Sequence, residues 1–160
     1  ERKMNLLGCF LAGTCFGLWP LIMRKSNLPD INQSLMLALP TTAIILAAYF
    51  TGVMSGVIFN TFLAATLALG IGVGLGLIPL TVYPIAIIAG MLNGLGTIKL
   101  LGNLRAAQQE KASTVILVIV LTQIAVNELC GITMLGADFS IRKALGFVVA
   151  LGAVYLIATK

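Results

Sequence analysis

Residues 114–135, TVILVIVLTQIAVNELCGITML, decide how this chain is read. As an α-helix at ~1.5 Å per residue the stretch reaches about 33 Å, enough to cross the roughly 30 Å hydrocarbon core of a bilayer. Gln123, Asn127 and Glu128 interrupt an otherwise apolar run. A charged side chain at the centre of a membrane helix costs about 2.5–3.5 kcal/mol on insertion scales, so it faces a polar cavity or a partner. Gln123 and Asn127 are four apart and share one helix face, and Glu128 lies about 100° round from Asn127. Two readings follow. Either the three line one side of an internal cavity and bind substrate or protons, or they are interhelical hydrogen bonds that hold a bundle together. Ionisable groups at membrane depth are functional by default, which favours the first.

The composition agrees with a membrane setting. Of 160 residues, 59% are hydrophobic and 9% charged, and the mean hydropathy is +1.08, too little polar surface for a soluble domain. No charged or Ser/Pro-rich linker divides the chain, so a single transmembrane domain is expected over 1–160. The formal charge of +5 sits in short loops, where it biases topology and meets lipid headgroups; nucleic acid is not an expected partner. Cys9, Cys15 and Cys130 lie in apolar segments and there is no His, so neither a metal site nor a cofactor is expected. The thiols read as small packing residues. The five residues ahead of Leu6-Leu7-Gly8-Cys9 are too few for the apolar region of a cleaved signal.

Six spans are expected, at about 4–23, 34–53, 57–78, 85–101, 114–135 and 144–159, giving an all-α polytopic helix bundle. The first has cations at both ends, Arg2 and Lys3 against Arg24 and Lys25, a Gly13/Gly17 small-residue face, and Trp19-Pro20 near its close. The second contains Pro40, read as a kink that neighbouring helices tolerate. Residues 56–101 carry no charge before Lys99 and would reach about 69 Å as one helix, twice a bilayer. Pro79-Leu80-Thr81-Val82-Tyr83-Pro84 therefore marks a turn between two spans. Gly70, Gly72, Gly74 and Gly76 lack the Lys and Ser/Thr of a phosphate loop and offer close-packing faces instead. In the fourth span Asn93 is a second polar group at membrane depth, flanked by Gly90 and Gly94, where an unwound backbone would show carbonyls to a ligand. Lys99, within a turn of the expected helix end, is read as reaching the headgroups. Polar loops are expected at 27–33, at 102–113 with Arg105, Gln108, Gln109, Glu110 and Lys111, and at 136–143 with Asp138, Arg142 and Lys143.

With six spans both termini share a side, and the cations divide as Arg2, Lys3, Lys99, Arg105, Lys111 and Lys160 against Arg24, Lys25, Arg142 and Lys143. That small excess favours cytoplasmic termini; with one span plus a re-entrant piece over 56–101 the C-terminus would cross over and the bias would nearly vanish. In this scheme Lys99 and Glu128 do not pair. Glu128 is then uncompensated unless water, Asn93 or a ligand reaches it, the basis for expecting a coupling proton there.

Leu135-Gly136-Ala137-Asp138-Phe139-Ser140, with Gly146 following, and Gly152-Ala153-Val154-Tyr155-Leu156 resemble the closing part of the drug/metabolite transporter superfamily, the EamA-like half-repeat. Gly13, Phe16, Gly17 and Trp19-Pro20 resemble its opening helix, and 90–101 its third. Ala137 stands where that family has an acid, so no role of that acid carries over, and 57–78 has no counterpart in a five-helix repeat. The resemblance implies a secondary transporter of small organic solutes with a cavity between helices near the midplane. One repeat per chain implies a homodimer, with the Gly-rich faces as contacts. The expected function is thus transport of a metabolite or drug across an inner or plasma membrane, proton-coupled through Glu128 and lined by Gln123, Asn127 and Asn93. The competing reading is a non-transporting subunit packed on a larger partner whose cation pairs with Glu128. An enzyme is not expected, because the acids are too dispersed for a paired-carboxylate site.

Overall fold

A computed structural model describes residues 5–52, 56–107, 112–138 and 140–158. Met4, Val53 and Thr159 at expected span ends lie outside these residues. So do Arg2, Lys3, Lys111 and Lys160 of the charge count, Gln108, Gln109 and Glu110 of the polar loop, and Phe139. Each apolar run is a helix: α1 Leu6–Ser26, α2 Asp30–Thr51, α3 Val57–Gly74, α4 Val82–Ala106, α5 Ala112–Leu135 and α6 Ile141–Ala158. Among the described residues α1 to α5 are long and apolar enough to cross a membrane. The chain is an all-helical bundle with the composition of an integral membrane protein.

Several ends differ from the sequence expectation, each for a local reason. The third helix stops at Gly74 rather than 78 because Gly76 takes φ +75°, a conformation open to glycine. There the Leu77 amide donates to Gly72 O at 2.8 Å and the Gly76 amide to Val73 O at 3.0 Å, the paired bonds of a Schellman cap. The fourth helix begins at Val82, before Pro84, because first-turn amides have no intrahelical acceptor and a proline there forfeits nothing. It continues past 101 to Ala106 because Leu100 and Leu104 pack against the buried cluster of Cys9, Ala12, Val115, Val118 and Ile119. The second helix starts at Asp30 rather than 34, and Asp30 in its first turn complements the helix dipole.

Two helices form the centre. α1 packs against α4, α5 and α3, and α4 adds α2 on its far side; α6 packs on α5. In a bilayer, lipid competes for apolar surface as well as protein does, so helices are held by close backbone approach and packing. The sequence supplies that approach at small residues. A Cβ on Gly13 would lie 2.7 Å from Ile119 O and one on Gly17 2.7 Å from Gln123 O, both on α5. On α4, a Cβ at Gly90 would lie 2.8 Å from Met36 O of α2. That carbonyl is the one left without a donor four residues on by Pro40. The Gly13 site has backbone on the far side and cannot relax by a rotamer change. Gly13→Ala is therefore expected to cost about 1–3 kcal/mol, whereas Gly146→Ala, with nothing within 4 Å of the added Cβ, should be neutral or slightly stabilising. Equilibrium unfolding in bicelles checks both; equal effects would remove the α1–α5 contact from the account.

Candidate functional site

Glu128 sits seven residues before the end of α5, about 10 Å along the axis. If the ~30 Å core is centred on this helix, the carboxylate lies roughly 7 Å inside it. The structure does not leave it uncompensated: Lys143 Nζ of α6 donates to Glu128 Oε2 at 2.7 Å. This corrects the expectation of a lone carboxylate. Just past α5, Gly136 takes φ +67°, and α6 packs back on α5, so the first turn of α6 comes alongside the last turns of α5. The lysine stem then spans the remaining gap. Sequence reading had placed Lys143 in a surface loop. The available signal was an acid two turns before one helix end and a cation in the first turn of the next.

The pair stands at the edge of an apolar cleft between α5 and α6, about 250 Å3 in volume and lined besides by Leu121, Ile124, Gly146 and Ala150. Side-chain exposure is 33% for Glu128 and 52% for Lys143, so both charges are reachable from the cleft. Such a cleft presents one anion and one cation side by side on an aliphatic wall. A solute ammonium can displace Lys143, a solute carboxylate can displace Glu128, and a proton on Glu128 weakens the attraction to Lys143.

The other expected site residues do not gather there. Gln123 is half-buried, one turn or more deeper on α5, with its backbone carbonyl against Gly17. Asn127 is exposed on the neighbouring face. Asn93 lies elsewhere: its Nδ2 donates to Thr41 Oγ1 at 3.2 Å, and Thr41 Oγ1 donates to Gly90 O at 2.9 Å. That chain of bonds ties α4 to α2, whereas α5 packs chiefly on α1. Asn93 thus serves an interhelical contact, and Thr41 is the partner that a proline-centred reading of α2 had passed over. Lys99, read as reaching the headgroups, donates to Asn60 Oδ1 of α3 at 2.7 Å.

The fold and the charged cleft define the class: a helical integral membrane protein with an ion pair set into its apolar wall. Comparison of the chain with family models, with curated proteins and with solved structures gives no match.

The pair's worth depends on its surroundings. Water-exposed pairs contribute about 0.2–1 kcal/mol, while removing one partner at membrane depth strands a charge. Lys143→Met should cost about 2 kcal/mol, and adding Glu128→Gln should restore most of it. A double-mutant unfolding cycle in bicelles reads this directly. A coupling below about 0.2 kcal/mol would put the pair in bulk water.

Proposed function

We propose that this chain is a secondary transporter of a small organic metabolite or drug, coupled to protons through Glu128 and active as a homodimer. The single observation that carries the reading is the Glu128–Lys143 pair at 2.7 Å at the mouth of an apolar cleft. A structural ion pair has no need of a cleft, and a packing cleft has no need of charge. The alternation follows from elementary electrostatics. With Glu128 ionised, Lys143 and a substrate cation compete for one carboxylate; with Glu128 protonated, neither is held. Exchange of a proton for substrate at one group is coupling.

The dimer rests on the single repeat per chain that the resemblance implies. At about 250 Å3 the cleft alone falls short of the roughly 300–1,000 Å3 of small-molecule sites, and the scheme has a second copy enlarge it. The scheme has six spans, with α6 crossing beside α5, in a plasma or inner membrane. Gln123 and Asn127 lie on α5 outside the lining of the cleft, and Asn93 serves the α2–α4 contact, so the coupling scheme rests on Glu128 and Lys143. The resemblance to half-size drug/metabolite transporters points the same way.

The competing reading, a non-transporting subunit on a larger partner, is favoured by the outer face of α6, where Leu145, Val148 and Val149 are 61%, 66% and 72% exposed. Its specific form loses ground because the cation for Glu128 comes from this chain. Proteoliposomes exposed to amino acids, sugars, nucleosides and cationic drugs decide between them. A charge movement for at least one compound, abolished in Glu128→Gln with folding retained, is the expected result. A current that is unchanged in the variant removes Glu128 from coupling, and a chain that purifies stably only with a second protein supports the subunit.

A further inference from the structure

A second groove lies on the opposite flank of the bundle, between the C-terminal half of α2 and the N-terminal turns of α3. Its volume is about 220 Å3. Ala48, Phe59 and Leu95 form a buried floor, and Ile44, Ile58 and Phe62 line it further. α2 rests on α4 and α3 on α4 and α1, so the two leave a slot between them that opens sideways. In a membrane that slot faces lipid.

A cation borders this apolar slot. Lys99 is four residues beyond Leu95 and so on the same face of α4. Its Nζ lies 5.0 Å from the centroid of the Phe59 ring, the ring that helps to floor the groove, and donates to Asn60 Oδ1. Among the described residues the ion pair is Lys143–Glu128, and no carboxylate neutralises Lys99. The ammonium is thus anchored by an amide and an aromatic face, with its charge unanswered. We propose that the groove binds one acyl chain of an anionic phospholipid whose phosphate is held by Lys99 and Asn60.

The location fits that occupant. The end of α2, the start of α3 and the last turns of α4 lie at one end of the bundle, together with Arg105. The cation distribution favours the cytoplasmic leaflet for this end, the leaflet in which anionic lipids concentrate. The groove takes the chain, the lysine selects the headgroup, and the lipid braces α2 against α3, which among the described residues pack mainly on other helices. A water-borne solute would meet a slot lined by Thr51 and otherwise by apolar side chains, with Lys99 and Asn60 at its border.

Native mass spectrometry of protein extracted from vesicles of equal phosphatidylglycerol and phosphatidylcholine tests the proposal. The wild type should retain phosphatidylglycerol preferentially. Lys99→Gln should lower that retention about fivefold, the effect of one basic side chain at an anionic surface, while Lys99→Arg should keep it. Ala47→Phe, which fills the slot from the exposed face of α2, should lower retention of both lipids. Arg105→Gln, a cation at the same end but off the groove, should leave the ratio unchanged. Equal retention of the two lipids by the wild type, or an unaltered adduct in Ala47→Phe, overturns the proposal. If Lys99→Gln unfolds, the Ala47→Phe and Lys99→Arg results decide.

Discussion

Gly96 of α4 meets α1 so closely that an added Cβ would stand 2.9 Å from Cys15 Cβ and 3.4 Å from Ala12 O. The rest of the bundle hangs on that approach. Ala12 and Cys15 are fully buried on α1, and Leu92, Leu95 and Ile98 are buried on α4 around the same seam. Once the two axes are this near, each helix has another face to offer. Gly94 is two residues, about 200°, from Gly96, so the α4 face that meets Thr41 of α2 is turned nearly away from α1. Gly13 and Gly17 do the same for α1, about 100° and 140° round from Ala12, where α5 packs. Two central helices, each with two small-residue faces, are sufficient to order their immediate neighbours.

Polar groups then lock what packing has brought together. Lys25 at the end of α1 donates to the carbonyl of Gly74 at the end of α3, where the negative end of a helix dipole favours a cation. Lys99 of α4 reaches Asn60 of α3, and Lys143 of α6 reaches Glu128 of α5. Each lysine serves a helix other than its own. α3 has its first and last turns fastened in this way, the last where Gly70, Gly72 and Gly74 present little side-chain bulk to hold it. The α2–α4 contact uses neutral groups instead, Asn93, Thr41 and the Gly90 carbonyl.

Much of this was legible in the sequence. The lengths of the apolar runs located the helices, and Gly13/Gly17 and Gly90/Gly94 marked faces for close contact. A small-residue spacing names a face and not a neighbour, so nothing in the chain said that the first pair meets α5 and the second α2. Helix ends were less legible because they turn on single residues: Gly76 ends α3 early, and the packing of Leu100 and Leu104 extends α4. The polar residues were found but their partners were not. Glu128 stood out as an acid in hydrocarbon, while Lys143 looked like an ordinary loop cation until the turn at Gly136 brought it back. Asn93 was grouped with the polar residues of α5 by chemistry alone, and geometry assigns it to α2.

The central role of α4 also orders the making of the protein. Among the described residues α2 packs mainly on α4, and α1 meets its main partners only in α4 and α5. Consecutive segments α1 and α2 leave the ribosome with hardly any surface for each other. Until α4 is made the nascent chain is therefore a set of inserted helices joined mainly by the α1–α3 contact, each stable in lipid by its own backbone hydrogen bonds. The emergence of residues 82–106 converts them into a bundle, and α5 and α6 are then added to an existing scaffold one after the other. A chain interrupted before α4 would be inserted but unassembled, with its small-residue faces open to lipid and to whatever other helices the membrane holds.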